Sequence, residues 1–571
     1  MRRSQLLALL AAVVLLAGVG VVLTRRGDRD RPNARPTPSP TGPSRSATPS
    51  ATPSATVRPT PVGKGPRDRE YDVVYAKSVT QNDGAFAVAE AGGEVVLEVP
   101  AAGVVTVRAG RDFLQRARTD KRIYGVVPNR AIGRPPVPEE GRDVHPGEGV
   151  RRDDNGNDPL ADLQWDMDLI NAARARRVEA GDPRVLVAVI DTGVDRTHPD
   201  LVEAYDTKLS RNFVTDYPAA DGPCEEKDCT DPVGVDPGGH GTHVAGTIVA
   251  AADGFGMAGV APGVRLVDLR AGQDSGYFFV MATVRALVYA GDIGVDVANM
   301  SFYVDPWLFN CPNGVDDSPD ERYEQRAAIE AVRRAVDYAR SRGVTLVAAA
   351  GNEHMDTDDP TTDVVSPNFP KDTERERRIS DDCHVLPTTL PNVVQVSSLA
   401  RDRVKADYSN YGAENITVTA PGGSFRLADG SAASGNRTLS TYPERLLREE
   451  GLIGRDGTSS DPDAVTYCRN GRCAYYRYLV GTSMAAPHAA GVAALIVSKY
   501  GTADPARRGQ LTMDPREVER ILVETATPLP CPDPPTVQYP GRSYSATCRG
   551  TRERNSFYGA GLVDALAAVS R

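Results

Sequence analysis

The chain has no excess of positive charge: 66 Lys and Arg stand against 76 Asp and Glu, for a formal net charge of −10. Nucleic acid is therefore excluded as an expected partner, because binding a polyanion needs clustered basic residues. From Pro32 to Pro66 large apolar residues are almost missing and Pro, Ser, Thr and Arg dominate. That excludes a packed core there and predicts an extended spacer over 25–66. A convincing small-x-small cleavage site is also lacking after Leu6 to Leu23, a charge-free run of 18 residues that would span about 27 Å as a helix. The missing site favours an uncleaved membrane anchor over 1–24, with a cleaved signal peptide as the other reading. Arg25, Arg26, Arg29 and Arg31 beyond the run outnumber Arg2 and Arg3 before it, which weakens the positive-inside bias an anchor would show. No membrane-spanning apolar run follows Tyr558 to Ala565.

What is present points to an exported enzyme. The 571 residues are 40% hydrophobic, enough for two or three domains. Eight cysteines in an exported chain imply disulfides. Short spacing pairs Cys224 with Cys229, Cys468 with Cys473 and Cys531 with Cys548, and Cys311 with Cys383 follows by elimination.

Three segments carry the chemistry, in the order Asp191-Thr192-Gly193, Gly239-His240-Gly241-Thr242-His243 and Gly481-Thr482-Ser483-Met484-Ala485-Ala486-Pro487. A serine hydroxyl is a poor nucleophile until an imidazole removes its proton. The imidazole in turn needs a buried carboxylate to fix its tautomer and stabilise its charged form. Asp191 ends the apolar run Val185 to Ile190, a buried parallel strand whose carboxyl end opens on the crevice where α/β sheets bind ligands. His240 sits in a glycine-rich loop feeding a helix. Ser483 precedes a helix over Ala489 to Tyr500, so its hydroxyl lies where a helix dipole favours developing negative charge. His243 stands three residues from His240, a spacing two zinc ligands could use, but nothing nearby completes a zinc set.

These motifs, in this order and with these flanks, resemble the subtilisin-like serine protease family (subtilases) over roughly Asp158 to Arg571. The resemblance implies Ser483 as nucleophile, His240 as general base and then acid, and Asp191 as the orienting carboxylate. It implies Asn352, ending the apolar strand Val347 to Ala350, as an oxyanion-hole donor. It also makes Ser301, Phe302, Tyr303 and Gly351 substrate-binding positions, with Asn299 to Tyr303 a strand edge that pairs with an extended peptide. Many subtilases have two glycines after the position of Phe302, where this chain has Tyr303 and Val304. Bulk there would narrow the S1 entrance, the other reading being that Phe302 and Tyr303 are packed under the insertion Pro306 to Arg322. Insertions at Asp206 to Pro237, Glu353 to Asp382 and Gly423 to Tyr478 are expected to rim the cleft. No cofactor is expected for catalysis, and the resemblance aligns Asp158, Asp200 and Asp253 with ligands of a structural calcium site, for which hard carboxylate oxygens are suited.

The expected fold is α/β, a doubly wound, mostly parallel sheet over 158–571, from strands such as Arg265 to Leu269, Val295 to Met300, Val344 to Ala349 and Val393 to Val396 alternating with helices. A small α+β module over 70–134 precedes it. Its four strands and a helix over Arg111 to Thr119 resemble a subtilase propeptide, an unrelated spacer domain being the other reading. A polar Pro/Gly-rich linker over 135–157 would hold the activation cut. The expected whole is a membrane-anchored or secreted endopeptidase acting on protein or peptide substrates, with a monomeric catalytic domain. The rival is a catalytically silent surface-tethered binding protein. An esterase is disfavoured because the Ser483 segment lacks the Gly-x-Ser-x-Gly elbow.

Overall fold

The computed structural model describes residues 69–128, 158–370 and 372–571. The anchor or signal segment 1–24, the spacer 25–66, the end of the first module (129–134) and the linker 135–157 lie outside the described residues. Among the described residues no helix is long and apolar enough to cross a membrane.

The first module is an antiparallel sheet of β1 (Arg69–Tyr75), β2 (Gly93–Val99), β3 (Val104–Ala109) and β4 (Ile123–Pro128), in the order β2-β3-β1-β4. Alternation along each strand divides its two faces. Tyr71, Val73 and Tyr75 pack with Val105 and Val107 against α1 (Gln81–Glu90) and α2 (Phe113–Ala117). Val74, Val104 and Val127 on the other face join the core of the second domain. Helix α1 has no counterpart in the sequence reading. Its residues Ala85, Ala87, Ala89 and Gly84 give little periodic contrast, and the Thr80 hydroxyl accepting from Asp83 N fixes its start.

Seven parallel strands form the second domain's sheet: β5 (Leu186–Asp191), β6 (Arg211–Asn212), β7 (Arg265–Arg270), β8 (Val297–Met300), β9 (Thr345–Ala349), β10 (Val393–Leu399) and β11 (Val418–Pro421). Their order is β11-β10-β9-β8-β5-β7-β6. The chain therefore moves outward on one side of β5, then returns to lay β8 on the other, so β5 stands at the switch point where such sheets open a ligand crevice. Val187 and Val189 face α3 (His240–Val249) and α6 (Thr482–Tyr500), while Leu186, Ala188 and Ile190 face α4 (Val280–Ile293) and α5 (Pro319–Ser341). Both faces are covered, as the near-continuous apolar strands require. Helix α5 begins with a capping box between Ser318 and Glu321 and has Pro319 in its first turn. It also receives the first module: a Cβ on Gly125 would stand 2.5 Å from Ala327 Cβ, so only glycine permits this approach of β4. Arg118 adds an ion pair to Asp320 and lies 4.7 Å over the Tyr323 ring.

All four disulfides join the partners that the sequence reading paired. Cys311–Cys383 ties the insertion after β8 to the one after β9.

Candidate active site

Asp191 is the last residue of β5, and His240 the first of α3. The helix thus takes in His240, which the sequence reading placed in the loop before it. Gly239 caps it at φ +75°, and Gly241 lets it press against the strand end, where a Cβ would lie 2.1 Å from the Gly193 carbonyl oxygen. His240 Nδ1 meets Asp191 Oδ1 at 2.7 Å. Asp191 Oδ1 also accepts from Thr192 N, and its side chain is fully buried. Burial alone would push the His240 imidazole down. The charge and hydrogen bond of Asp191, with the charge of Asp236, outweigh it and hold the ring above its ordinary value.

Asp236 is a supporting residue absent from the sequence reading. It accepts from Thr192 Oγ1, from Gly239 N and, on its other oxygen, from the amide and hydroxyl of Thr242. Thr192 Oγ1 in turn accepts from Gly241 N. One buried carboxylate therefore clamps the strand end carrying Asp191 to the helix start carrying His240. An Asp followed by Pro-Gly-Gly was its only local signal.

Ser483 lies in the first turn of α6, which begins at Thr482 rather than Ala489 and contains Pro487. Proline has no N–H for the carbonyl four residues back. That carbonyl belongs to Ser483, and it accepts the Ser301 hydroxyl at 3.0 Å instead. The Ser483 hydroxyl donates to the Ser301 carbonyl at 3.1 Å, so the two serines are joined twice.

Asn352 follows β9 and is exposed. Its Oδ1 accepts from the amide and hydroxyl of Thr482, at 2.9 and 3.0 Å, while Thr482 Oγ1 accepts from Gly351 N at 3.1 Å. With the oxygen so occupied, the Asn352 Nδ2 donor faces the other way. A point one Cβ bond from Gly481 lies 3.6 Å from Ser483 N and 3.7 Å from Asn352 Nδ2, so the two donors flank one space. Gly351 has φ +102°, and a Cβ there would stand 2.4 Å from Asn410 Nδ2. Thr482 was not expected in this role, because only the tertiary approach of α6 to β9 reveals it.

The expected peptide-pairing edge is shorter than Asn299 to Tyr303. Asn299 and Met300 lie within β8, paired on one side with β5 and on the other with β9, so only Ser301 onward runs free of the sheet. Phe302 stacks on Phe278 at 4.1 Å between ring centres. Tyr303 packs beside Leu308, Phe309 and the Cys311–Cys383 bridge, with its hydroxyl accepting from Asn368 Nδ2 at 2.9 Å. Of the two readings of their bulk, packing is what the structure displays. Phe302, however, leans on the loop before α4 rather than on the insertion. His243 is fully buried and bonds the Thr438 and Arg477 carbonyls through Nε2, so it is a packing residue.

Asp158, Asp200 and Asp253 gather around the loop Asp253 to Met257. Asp158 Oδ1 accepts from Gly254 N, Asp253 Oδ1 from Phe255 N, and Asp200 Oδ2 from Met257 N and the Tyr476 hydroxyl. Burial, with smaller contributions from Asp253 and Asp158, pushes Asp200 up to about 7. Asp200 Oδ1 is buried without a partner, which suits a cation ligand. Yet among the described residues the one carboxylate trio whose oxygens converge within 4.8 Å is a different set, Asp216, Asp231 and Asp274. The expected trio is not a set whose carboxylate oxygens converge that closely.

The model of the subtilase family matches residues 182–561. The chain belongs to the subtilase family. It is 30% identical to fervidolysin of Fervidobacterium pennivorans over 443 residues, covering 72% of this chain and half of that protein's length. It is 26% identical to the epidermin leader peptide-processing serine protease EpiP of Staphylococcus epidermidis, covering 64% of this chain and 70% of the relative. Among solved structures, EpiP from Staphylococcus aureus superposes with a TM-score of 0.59 at 22% identity, over 88% of this chain and 98% of that one. That likeness extends the subtilisin-like fold to this subtilase.

Proposed function

We propose that this subtilase is an exported serine endopeptidase, made as a proenzyme, that cleaves peptide bonds through an acyl-enzyme. The observation that carries the reading is the 2.7 Å contact of His240 with buried Asp191, together with a helix start at which Ser483 N and Asn352 Nδ2 flank one space. A peptide laid along Ser301 to Tyr303 brings its scissile carbonyl to Ser483. The hydroxyl leaves its contact with Ser301 O, turns to His240 and attacks as the imidazole takes its proton. Asp191 stabilises the resulting imidazolium, and Ser483 N with Asn352 Nδ2 receives the negative oxygen. His240 then protonates the leaving amine, and water repeats the sequence to free the acyl group. No metal enters these steps.

The fold of the first module, a four-stranded antiparallel sheet seated on α5, supports reading it as a propeptide. The maturation cut would then fall in the linker 135–157. Named relatives act on leader peptides, and flexible segments of that kind suit a cleft rimmed by the insertions at 206–237, 353–382 and 423–478. Labelling with a fluorophosphonate, followed by amino-terminal sequencing of the labelled species, tests activity and processing together. A folded protein that takes no label would support the silent binding protein instead.

A further inference from the structure

Ser483 N and Asn352 Nδ2 come from two stretches of chain that share no element, the start of α6 and the loop after β9. Two donors stabilise one negative oxygen only where both lie within hydrogen-bond reach of the same point. Their spacing is therefore a tertiary quantity, and something must hold it. The stretches touch through Thr482. They are also joined through the connection between β10 and β11, where Tyr408 bonds to both. Its carbonyl accepts from His354 N at 2.8 Å, two residues past Asn352. Its hydroxyl accepts from Gly481 N at 3.0 Å, two residues before Ser483.

The surroundings of that hydroxyl leave it one orientation. It donates to the Gly423 carbonyl at 2.7 Å, with the Gly422 carbonyl at 3.0 Å, and the Ser398 hydroxyl of β10 lies 2.8 Å away as a second donor to it. A phenol offers one proton and two acceptor positions, and all are used. Burial pushes its pKa above the ordinary tyrosine value, so the proton stays in place. Gly422 has no room for a side chain, since a Cβ would stand 2.2 Å from Ser398 Oγ and 2.4 Å from the Gly481 carbonyl oxygen. Gly481 caps α6, and its carbonyl accepts from Met484 N at 3.0 Å. Holding its amide thus holds the first turn that carries Ser483 N. Asn410, two residues beyond Tyr408, braces the other side: its Oδ1 accepts from Glu353 N and Met355 N at 3.1 and 2.8 Å.

We propose, on the serine endopeptidase reading above, that Tyr408 is a positioning residue of the oxyanion hole, its hydroxyl and carbonyl together setting the spacing of Ser483 N and Asn352 Nδ2. It acts through Gly481 and His354 and donates nothing to the reacting carbonyl. Phenylalanine would fill the same space and keep the backbone contact to His354. It would release Gly481 N from the phenol and leave the Gly423 carbonyl without its proton. The nucleophile's turn could then drift from Asn352, and the cost falls on the transition state, where the two donors must converge.

The test is steady-state kinetics on one peptide substrate for the full chain and its Tyr408→Phe variant, with active sites counted by fluorophosphonate titration and folding checked by circular dichroism. In the variant kcat should fall about tenfold or more with KM nearly unchanged, because small misplacements near the reacting centre are costly. The inhibition constant of a peptide boronic acid, whose tetrahedral adduct with Ser483 places an oxygen in the same hole, should rise in parallel. In an Asn352→Ala background the loss from Tyr408→Phe should shrink, since the donor it would misalign is already gone. A residue that only stabilised the fold would lower the melting temperature and leave kcat per titrated site and the boronate constant where they were. Should Tyr408→Phe fail to fold, Ser398→Ala, which removes a hydroxyl contact to the phenol, decides by a smaller fall in kcat at constant KM. Unchanged kcat in the folded variants, a loss seen in KM instead, or losses that multiply fully with Asn352→Ala would each overturn the role and leave the endopeptidase reading standing. A folded wild-type protein that takes no fluorophosphonate and cleaves no peptide would overturn that reading, and this role with it.

Discussion

Two imidazole–carboxylate pairs stand near the helix that carries Ser483, and their difference is instructive. His240 meets Asp191 at 2.7 Å and His488 meets Asp166 at 2.9 Å, so distance alone would rank them together. His488 and Asp166 are both wholly inaccessible, and the second ring nitrogen of His488 bonds the Met484 carbonyl within α6. His240 keeps 31% of its side chain exposed, and among the described residues its second nitrogen has no protein partner. Pairing with a carboxylate is therefore not what marks a catalytic base. A ring left partly open to solvent, with its second nitrogen unpartnered among the described residues, is what separates one pair from the other.

The sharpest way to break the comparison is to remove the groups that make the exposed pair productive. Ser483→Ala should abolish fluorophosphonate labelling and lower peptide hydrolysis by about 10⁶, the scale seen when a triad nucleophile is lost. Turnover near wild type in that variant would remove the serine from the mechanism. Asp191→Asn should lower kcat by about 10⁴, since an amide favours the wrong imidazole tautomer. Asp166→Ala should do the opposite. It breaks a buried pair and should cost about 3–5 kcal/mol of stability, yet leave kcat per folded molecule within a few-fold of wild type. Denaturant titration alongside kinetics separates the two, and equal kinetic losses in both variants would erase the distinction.

The exposed pair was legible in the sequence, and the buried one was not. Asp191, His240 and Ser483 each sit in a short glycine-flanked motif, because a reactive side chain at a strand end or helix start needs close backbone approach, as Gly241 against Gly193 illustrates. The strands of the central sheet were legible as apolar runs for a related reason, both faces being covered. Asp166, Asp236 and Thr482 support their partners through contacts between segments far apart in the chain, and nothing local to them announces that. The same holds for Asp216 and Asp274, which meet only when the insertion folds onto the end of β7. The misplaced helix starts have a local cause: glycine around His240 and proline after Ser483 are usual signs of a loop, and here Gly241 sits in the first turn of α3 and Pro487 inside α6.

A smaller effect sharpens the comparison at the oxyanion side. Asn352→Ala should lower kcat by about 10²–10³ with KM nearly unchanged, because its Nδ2 acts on charge present only in the transition state. Thr482→Val should move kcat in the same direction but less, since it removes the hydroxyl contact to Asn352 Oδ1 and leaves the amide one. Steady-state kinetics on one peptide substrate measures both, and a rise in KM with kcat intact would make Asn352 a ground-state binding residue.

The smallest expected effect is a shift in the pH profile, and its sign follows from the environment of His240. Burial favours the neutral ring, but Asp191 and then Asp236 favour the protonated one more strongly, so its pKa is raised. The base must be neutral to accept the serine proton. Activity should therefore rise with pH through a midpoint above the ordinary histidine value of about 6.5, falling about tenfold per pH unit below it. Asp191→Asn removes the carboxylate charge while leaving the burial, so the residual activity of that variant should have its midpoint displaced to lower pH. The buried pair offers the control: Asp166→Asn changes a carboxylate that does not face the crevice and should leave the midpoint where it is. Profiles of kcat/KM between pH 5 and 9 for the three proteins are the measurement. A midpoint that moves with Asp166 and not with Asp191 would assign the titrating base to the wrong pair.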